Sequence, residues 1–517
     1  MMKAQAGGSA NPFAAAREQF ERIVGQLQGE QAFDMTHAQV EERLQEEGFE
    51  LLRRLFQGHL DARRPAEAAG PVVGADGIER THRREGERKL MTIFGGVTVR
   101  RMRYGGRGMT GLIPLDGALN LPQEVHSHGV RRRVAEEAAR GSFDEAVAAV
   151  RRATAATIGK RQAVDLTGTA AGDFDAFYAT RSVDQAAATG SILVISVDGK
   201  GVVMRPEGLR PATREAAKSR RHKLKRRLSK GEKRATKRMA TVAAVYTTAP
   251  FVRLPTDIVR ALAGTDTAPV RPKVENKRVW ASLAKSAEAV IAQAFDEAQR
   301  RDPQHTKRWV ALVDGNAHQI RVLRREAAAR GVALTIVLDI IHVIEYLWDA
   351  AHVFFTEGDP AAEAWVTERL LCVLDGRASA VAGGLRRRAT RRGLAPKDRA
   401  PVDTSADYLI NHKALMTYHT FLAEGLPIAT GVIEGTCRHL VSDRKDITGA
   451  RWGLDGAEAV LRLRALRSSG DFGAYWRFHL DREHQRLHKA RFQGGLIPET
   501  CPTPLALPEP LPFRRAA

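Results

Sequence analysis

Apolar residues recur at helical spacing from the start of the chain. The first set predicts an amphipathic helix and comprises Phe20, Ile23, Val24 and Leu27. Thr36 and Gln39 stand three residues apart, as in a capping box, and predict the start of a second helix. An apolar stripe that reaches Phe56 continues this second helix. We therefore expect a mainly helical N-terminal region over residues 1–64.

The next region, residues 65–185, combines turns, strands and helices. Pro65 to Gly77 is rich in Ala, Gly and Pro and predicts a linker. Leu90 to Tyr104 (LMTIFGGVTVRRMRY) predicts a β-hairpin that turns at a Gly-Gly pair and carries basic residues on its second arm. Helical spacing returns from Ser127 to Gly168, with Ser142 as an N-cap. These helices fit a DNA-reading helix-turn-helix and a generic helical hairpin equally well.

Residues 186–470 alternate apolar strands with helices. Ile192 to Val197 form an apolar run that predicts a buried strand ending at Asp198. Two further strands are predicted at Val202 to Met204 and at Ala240 to Tyr246. Between them lies an insertion over residues 206–239. Within it, the segment from Lys218 to Arg238 has twelve Lys or Arg and too little apolar content to form core.

The second half of this region continues the alternation. Helical spacing predicts a long amphipathic helix from Asn276 to Arg301. A strand that ends at Asp314, a helix, and a strand that ends at Asp339 follow. Residues 342–426 are mostly helical and are interpreted as an insertion, in which residues 386–392 form a basic cluster. The order predicts an α/β domain with a mixed sheet and helices on its faces, and residues 471–517 are expected to be a C-terminal tail.

A strong positive charge limits the classes of partner. The chain has 517 residues, enough for two or three domains, and a formal net charge of +21. Lys and Arg gain free energy from counterion release when they neutralise phosphates, so the charge favours nucleic acid. A basic protein whose charge only maintains solubility, and one that meets anionic lipid, are the alternatives.

Cysteine spacing and hydropathy favour a reducing compartment. The only three cysteines, Cys372, Cys437 and Cys501, lie far apart, so neither a disulfide framework nor a cysteine zinc site is predicted. No apolar run approaches a membrane span and no signal peptide is predicted. We therefore expect a cytoplasmic protein that has no membrane partner and acts at the DNA.

Carboxylates at strand ends are the candidate chemistry. Asp198 and Asp314 each precede a glycine at the end of a predicted strand, where ligands of open α/β sheets usually lie. Glu434 is the third candidate, with Arg438 one helical turn beyond it. Three carboxylates are enough to hold two Mg²⁺ ions for phosphoryl transfer. Asp-Gly is also ordinary turn chemistry, and a surface ion pair between Glu434 and Arg438 remains the alternative.

Several blocks of sequence resemble transposases of the bacterial ISKra4 insertion-sequence family. These blocks are SVDGKGVVMRPEGLRPATR, LSKGEKRATKRMATVAAVY, LVDGNAHQIRVL, LDIIHVIEYLWDAAHVF and GVIEGTCRHLVSDRKDITGARWGLDGAEAVLRLRALR. The resemblance covers most of residues 90–490. It implies an RNase H-like catalytic core with a mixed five-stranded sheet, an Asp, Asp, Glu triad and Mg²⁺ or Mn²⁺, with two ions expected.

The resemblance assigns the triad residue by residue. The first Asp matches Asp198 and the Glu matches Glu434, while Asp314 is favoured over Asp339 as the second Asp. Related families carry a His-containing motif on the fifth strand, so Asp339 and His342 are expected to form a pair that supports the site or the insertion.

DNA contacts are expected from basic residues around this site. Trp452 is a candidate for stacking on an unpaired base, although packing against the last helix is the commoner use of a tryptophan. The predicted contacts are Lys200, Arg220, Arg221, Lys223, Lys225, Arg226, Arg227, Arg438, Arg444, Lys445, Arg451 and Trp452. Residues 1–180 are expected to recognise the ends of the element.

The sequence therefore predicts a transposase that binds the inverted repeats of its own element and acts as at least a dimer on DNA. Water first hydrolyses a phosphodiester at the element end, and the freed 3′ hydroxyl then attacks target DNA. One alternative is an RNase H-like nuclease that cuts DNA and never joins it. The other is an inactive DNA-binding protein derived from a transposase, which is expected to have lost a carboxylate.

Overall fold

The computed structural model describes residues 11–63, 65–181, 189–219, 236–264, 270–447 and 449–502. The chain divides into two compact units. Among the described residues, unit 1 contains residues 11–179 and 473–502, and unit 2 contains residues 180–472.

The strands of the described residues are β1 (Pro65–Ala68), β2 (His82–Thr92), β3 (Gly95–Gly105), β4 (Ile192–Val203), β5 (Lys237–Thr248), β6 (Glu275–Ser282), β7 (Arg308–Val313), β8 (Leu334–Leu338) and β9 (Thr500–Pro502). The first helices are α1 (Ala14–Gln28), α2 (Glu30–Phe33), α3 (His37–Asp61), α4 (Pro114–Ala118), α5 (His128–Arg140), α6 (Phe143–Ala153), α7 (Lys160–Ala170) and α8 (Phe174–Thr180). The central helices are α9 (Pro211–Ser219), α10 (Pro255–Leu262), α11 (Ala287–Arg301), α12 (Ala317–Ala329), α13 (Ile340–Phe354), α14 (Pro360–Leu374), α15 (Ala378–Arg391), α16 (Pro396–His412) and α17 (Tyr418–Ala423). The last helices are α18 (Gly431–Thr436), α19 (Asp443–Lys445), α20 (Leu454–Ser468) and α21 (Phe472–Leu487), with a π-helical turn at Cys437–Ser442.

Unit 1 combines the predicted hairpin with helices. Strands β2 and β3 pair antiparallel, and the predicted hairpin is confirmed, although its first strand begins at His82. The capping boxes of Thr36 with Gln39 and of Ser142 with Glu145 are both present, so the predicted helix starts are confirmed. Helices α5, α6 and α7 share a core, whose buried members are Val130, Val134, Val150, Ala156, Ala163 and Leu166.

Residues 473–502 also belong to unit 1. Strand β1 pairs with β9, and Phe492 packs with Val72, Tyr104 and Leu112. Residues 65–77 are therefore not a bare linker, and residues 471–502 are not a free tail. These contacts join segments more than 350 positions apart in the sequence, so local composition carries no sign of them.

A buried ionic network also joins α21 to the helices of unit 1. Arg131 is fully buried and donates two hydrogen bonds to the carboxylate of Glu483, at 2.6 and 2.7 Å. His479 is likewise buried and bonds the Asp173 carboxylate through Nδ1 at 2.7 Å. Each buried charge in this network has a partner of opposite charge, as burial requires.

Unit 2 is built on a five-stranded mixed sheet with helices. The strand order is β6-β5-β4-β7-β8. Strands β4, β5 and β6 pair antiparallel, whereas β7 and β8 run parallel to β4. This confirms the predicted α/β domain with a mixed five-stranded sheet. Residues 342–426 are mostly helical, as predicted, and form α13 to α17.

Two strand predictions were wrong. The first strand does not end at Asp198: β4 continues to Val203, because Gly199 to Val203 keep their pairing with β5. The predicted strand at 202–204 is therefore the end of β4. The third strand is β6, in a stretch that was predicted to be helical. Its apolar residues pair with β5, and α11 begins only after Ser286, whose hydroxyl caps it.

A buried cluster of ion pairs connects the edge strand β6 with α11. The carboxylate of Glu297 accepts hydrogen bonds from Arg300 at 2.8 Å and from Arg301 at 2.7 Å, and it also pairs with Arg278 of β6. Glu297 is only 3% exposed. Burial alone raises a carboxyl pKa, but the charges of Arg278 and Arg301 outweigh it and lower the pKa of Glu297 to about 2.

This pKa predicts how the cluster depends on pH. Because the folded pKa lies below the ordinary value, the ionised carboxylate stabilises the fold at neutral pH and loses that effect as the pH falls from about 4.5 towards about 2. Glu297→Gln should lower the free energy of unfolding by about 3 kcal/mol at pH 7, since it leaves buried arginines without their anion. Urea unfolding followed by tryptophan fluorescence measures this loss.

The same measurement at low pH supplies the contrast. The gap between wild type and Glu297→Gln should shrink as the pH approaches about 2. Glu288→Gln, at a partly exposed position of the same helix, is the control and should change stability little. An undiminished gap at low pH would refute the ionic role.

Candidate active site

Three aspartates lie level with one another at one edge of the sheet. Ser196 pairs with Leu312 in the parallel pair β4 and β7, so two further residues along each strand bring Asp198 level with Asp314. Val313 pairs with Leu338, so the next residues, Asp314 and Asp339, are also level. Adjacent strands are about 4.8 Å apart, and this edge therefore brings together carboxylates from three neighbouring strands.

Asp198 lies within β4 and contacts the π-helical turn. Its Oδ1 accepts a hydrogen bond from the Gly199 amide at 2.5 Å, and its Oδ2 accepts one from the Cys437 thiol at 3.1 Å. Cys437 is buried, and burial together with the Asp198 charge raises the pKa of the thiol well above its usual range. The thiol is therefore a neutral donor to Asp198. Sequence analysis did not single out Cys437, because a lone cysteine without a Cys or His partner carries no pattern.

Asp314 stands on a tight turn held by the helical insertion. Its Oδ1 accepts from the Asn316 amide at 2.8 Å, and its backbone carbonyl accepts from the Tyr408 hydroxyl at 2.9 Å. Gly315 has a φ of 98°, and an added Cβ there would lie 3.1 Å from Tyr408 and 3.2 Å from His412. Both the backbone conformation and the close contact require glycine at position 315. Only this one of the two Asp-Gly pairs makes the predicted sharp turn.

Asp339 is fully buried and acts as a structural junction. Its side chain accepts from the Ile341 amide at 3.0 Å, which caps α13, and from the Thr430 amide at 3.2 Å. The Thr430 hydroxyl donates a further, short hydrogen bond to Asp339. Thr430 is the residue that begins α18, the helix of Glu434. Asp339 therefore joins the end of β8, the start of the insertion and the start of α18.

Glu434 is exposed and lies between Thr430, which bonds Asp339, and Cys437, which bonds Asp198. Partial shielding from solvent raises its pKa, and the neighbouring charges of Asp339, Glu345 and Asp198 raise it further. Arg438 lies 3.9 Å from Asp443, so the ion pair found for it is not with Glu434. The exposed carboxylate of Glu434 thus lies near other carboxylates, and a cation would relieve their repulsion.

His342 bonds a different carboxylate from the one predicted. Its Nδ1 lies 2.8 Å from Glu345, one turn further along α13. Burial opposes the charged form, but the Glu345 hydrogen bond and the charges of Asp339 and Glu345 raise the pKa of His342. The hydrogen bonds of Asp339 go to Thr430 and Ile341 instead. Asp339 thus acts on His342 through its charge.

The side chains of this site supply the kind of ligand atoms that a hard divalent cation prefers, but they are not arranged as a complete coordination shell. Asp198, Asp314 and Glu434 supply carboxylate oxygens, the ligands that Mg²⁺ prefers. Within the ranges that the structure describes, no three His, Cys, Asp or Glu side chains come together as a ready-made metal site. Both oxygens of Asp198 are engaged by Gly199 and Cys437.

The predicted DNA contacts fall into three groups. Arg220, Arg221, Lys223, Lys225, Arg226 and Arg227 lie outside the described residues. Arg438 and Arg451 are exposed, and Lys200 is half-buried on β4, two residues after Asp198. Arg444, Lys445 and Trp452 are buried.

The buried group packs around the Trp452 ring. Lys445 Nζ lies 3.5 Å from the ring centroid and donates to the Ala457 carbonyl at 2.9 Å, while the Arg444 guanidinium lies 4.7 Å from the ring. Burial lowers the pKa of Lys445 well below its usual range. The indole N–H donates to the Lys445 carbonyl at 3.3 Å. These three side chains therefore support the loop before α20 from inside, where an unpaired base does not reach them.

Neither the protein-family models nor the curated proteins contain a match to this chain. Each helix of the described residues is too short or too polar to cross a lipid bilayer.

The Asp339–Thr430 junction predicts that α18 depends on one hydroxyl. Thr430→Val keeps the shape of the side chain but removes the donor, which leaves a buried carboxylate oxygen without its partner. Amide hydrogen exchange over residues 431–436 should become faster, with little change in β4. Thr430→Ser, which keeps the hydroxyl, is the matched control, and equal exchange in both variants would contradict this role of Asp339.

The position of Trp452 predicts a cost in stability rather than in DNA affinity alone. Trp452→Ala removes a large buried side chain and should lower the free energy of unfolding by about 3–5 kcal/mol. Thermal unfolding without DNA measures this effect, and Trp452→Phe should retain more of the stability. Unchanged stability in Trp452→Ala, with weakened DNA binding, would instead indicate a stacking role.

Proposed function

We propose that this protein is a transposase with an RNase H-like core, in which Asp198, Asp314 and Glu434 act on phosphodiesters with a divalent cation. One observation carries the proposal: the three aspartates are level at one edge of the sheet, and Glu434 lies between Thr430 and Cys437, which bond Asp339 and Asp198. When the five strands of unit 2 are numbered in chain order, their order across the sheet is 3-2-1-4-5. The second strand is antiparallel to the other four, which run parallel to one another. A mixed five-stranded sheet with helices is what the ISKra4 resemblance implies, and its presence supports the RNase H-like proposal.

Accessibility favours Asp314 over Asp339 as the second ligand. The Asp314 side chain is half-buried, and its carboxylate is engaged at Oδ1 by a hydrogen bond from the Asn316 amide. The Asp339 side chain, in contrast, is fully buried, with an exposed fraction of 0%. We propose that Asp314 is the second cation ligand and that Asp339 positions Glu434 through its hydrogen bonds with Thr430.

A cation held by these carboxylates would neutralise charge on the reacting phosphate and lower the pKa of an attacking water. The residues of the chain prepare that position. The Gly315 turn with Tyr408 fixes Asp314, the Cys437 thiol fixes Asp198, and the Asp339 junction fixes α18. Phosphoryl transfer asks little more of a protein than such positioning and charge.

The chain's charge is consistent with DNA as the substrate. A net charge of +21 suits a polyanion, and the exposed Arg438 and Arg451 lie in the segment that follows Glu434. These residues are proposed to contact the DNA backbone. No nucleophilic side chain is needed, since the attacking groups are water and then a 3′ hydroxyl.

Cleavage and joining assays on a labelled element-end duplex test the proposal. With Mg²⁺, Asp198→Ala, Asp314→Ala and Glu434→Ala should each lose cleavage and strand transfer by at least about 100-fold, because each removes a ligand. DNA binding in EDTA should remain. Glu345→Ala, at an exposed carboxylate beside the same edge, is the control and should keep most of the activity.

The outcomes separate the alternatives. Cleavage without joining in wild type would favour the nuclease, and DNA binding without cleavage would favour an inactive relative. Full activity in Asp198→Ala at normal Mg²⁺ would refute the carboxylate assignment. Loss in Asp339→Ala alongside retained activity in Asp314→Ala would transfer the second ligand to Asp339.

A further inference from the structure

The helical insertion contains a second charged feature, separate from the carboxylate edge. A cavity of about 510 Å³ opens between α14 and α15. Its lining includes five arginines and one acid: Arg369, Arg377, Arg387, Arg388, Arg391 and Glu368. Such an excess of one sign in a concave surface concentrates the electrostatic field there.

Two of these arginines are held in place by aromatic rings. The Arg388 guanidinium lies 4.7 Å from the ring centroid of Phe355 and 4.9 Å from that of Phe354. Arg369 lies 4.6 Å from the Trp365 ring and pairs with Glu368, the acid of the lining. An aromatic face fixes a guanidinium without neutralising it, as at Arg388. Arg369 and Arg377 are also paired with Glu368 and Asp375, but the five arginines exceed these two acids, so the cavity remains positive.

The charges repel one another in the absence of an anion. Burial, together with the nearby charges of Arg392 and Arg369, lowers the pKa of Arg388. Arg387 and Arg391 are exposed and lie four residues apart on one face of α15. Gly384 on the same helix has open space where a Cβ would be, which leaves room for a ligand beside the arginines.

The distance over which the lining arginines extend along α15 indicates the class of ligand. Arg377 and Arg391 are 14 positions apart (391 minus 377), which is about 21 Å along a helix. A single phosphate group is far smaller than this distance, whereas successive phosphates of a nucleic-acid strand span it. Arginine donates paired N–H groups that match phosphate oxygens.

We propose that this arginine cleft, the cavity lined by Arg369, Arg377, Arg387, Arg388 and Arg391, binds the phosphodiester backbone of DNA. The inference rests on the proposed function, because it takes DNA as the substrate of unit 2. It adds a backbone contact in the helical insertion, away from the carboxylates. The basic cluster at residues 386–392 is thereby proposed to contact the DNA backbone.

Salt-dependent DNA binding tests the cleft. The full chain with Arg387→Ala and Arg391→Ala is titrated with a labelled duplex in EDTA at several KCl concentrations, by fluorescence anisotropy. Each lost phosphate contact lowers the slope of log Kd against log salt by about 0.9, so the double variant should lose about 1.8. EDTA removes any contribution from metal or cleavage.

Two control variants define the result. Arg321→Ala with Arg324→Ala removes the same charge from exposed positions of α12 and should change the slope far less. Arg387→Lys with Arg391→Lys keeps the charge and should retain most of the slope. An unchanged slope in the Ala variant, or an equal loss in the α12 variant, would overturn the proposal.

Cys372 provides a second, local readout. It lines the cleft, whereas Cys437 is buried and Cys501 is exposed elsewhere. In a Cys501→Ser background, a saturating duplex should slow the reaction of Cys372 with N-ethylmaleimide several-fold. The protection should be lost when Arg387→Ala and Arg391→Ala are added. An unchanged rate with DNA fully bound would also overturn the proposal.

Failure of this inference differs from failure of the proposed function. Wild type that binds DNA with a slope independent of Arg387 and Arg391 overturns the cleft alone. Wild type that shows the expected slope and protection, but no cleavage with Mg²⁺, supports the cleft and overturns the proposed catalysis. Absence of any DNA binding by wild type overturns both.

Discussion

The hydrogen bonds between Asp339 and Thr430 are the constraint on which the candidate active site depends. A fully buried carboxylate requires donors, and Asp339 obtains them from the first residues of α13 and from Thr430 at the start of α18. Three segments distant in sequence are therefore fixed at one point: the end of β8, the insertion and the helix of Glu434. Without those donors the buried charge would be costly, so the junction and the fold support each other.

From that point the site follows from the geometry of the sheet. Parallel pairing of β4, β7 and β8 brings Asp198, Asp314 and Asp339 level, and α18 brings Glu434 towards them. Carboxylates so grouped repel one another: burial raises the pKa of Glu434, and the charges of Asp339, Glu345 and Asp198 raise it further, whereas the pKa of Asp339 is raised by burial. The protein tolerates this because backbone amides, a thiol and a hydroxyl donate hydrogen bonds that stabilise the carboxylates. A divalent cation would neutralise their charge, which is the physical basis of the proposed chemistry.

Sequence patterns found the parts of the site that lie at the ends of apolar runs. Asp314 and Asp339 directly follow short buried strands. In unit 1, a capping residue such as Ser142 marks the start of its helix in the local sequence. The stretch around Trp280 misled the prediction, because apolar residues at β6 and the helical spacing of α11 merge into one helix-like pattern. Only the pairing of β6 with β5 and the Arg278–Glu297 contact separate them, and neither is visible in the sequence. The same limit applies to Cys437, Tyr408 and Lys445, whose roles come entirely from contacts across the fold.

The central claim is that Asp198, Asp314 and Glu434 share one divalent-cation site. Calorimetric titration of Mn²⁺ into the intact protein, without DNA, tests this most directly. The account predicts saturable binding to wild type that weakens at least about tenfold in Asp198→Asn, Asp314→Asn and Glu434→Gln, since each substitution removes one anionic ligand. Binding to Asp198→Asn and Glu434→Gln that equals wild type would contradict the account.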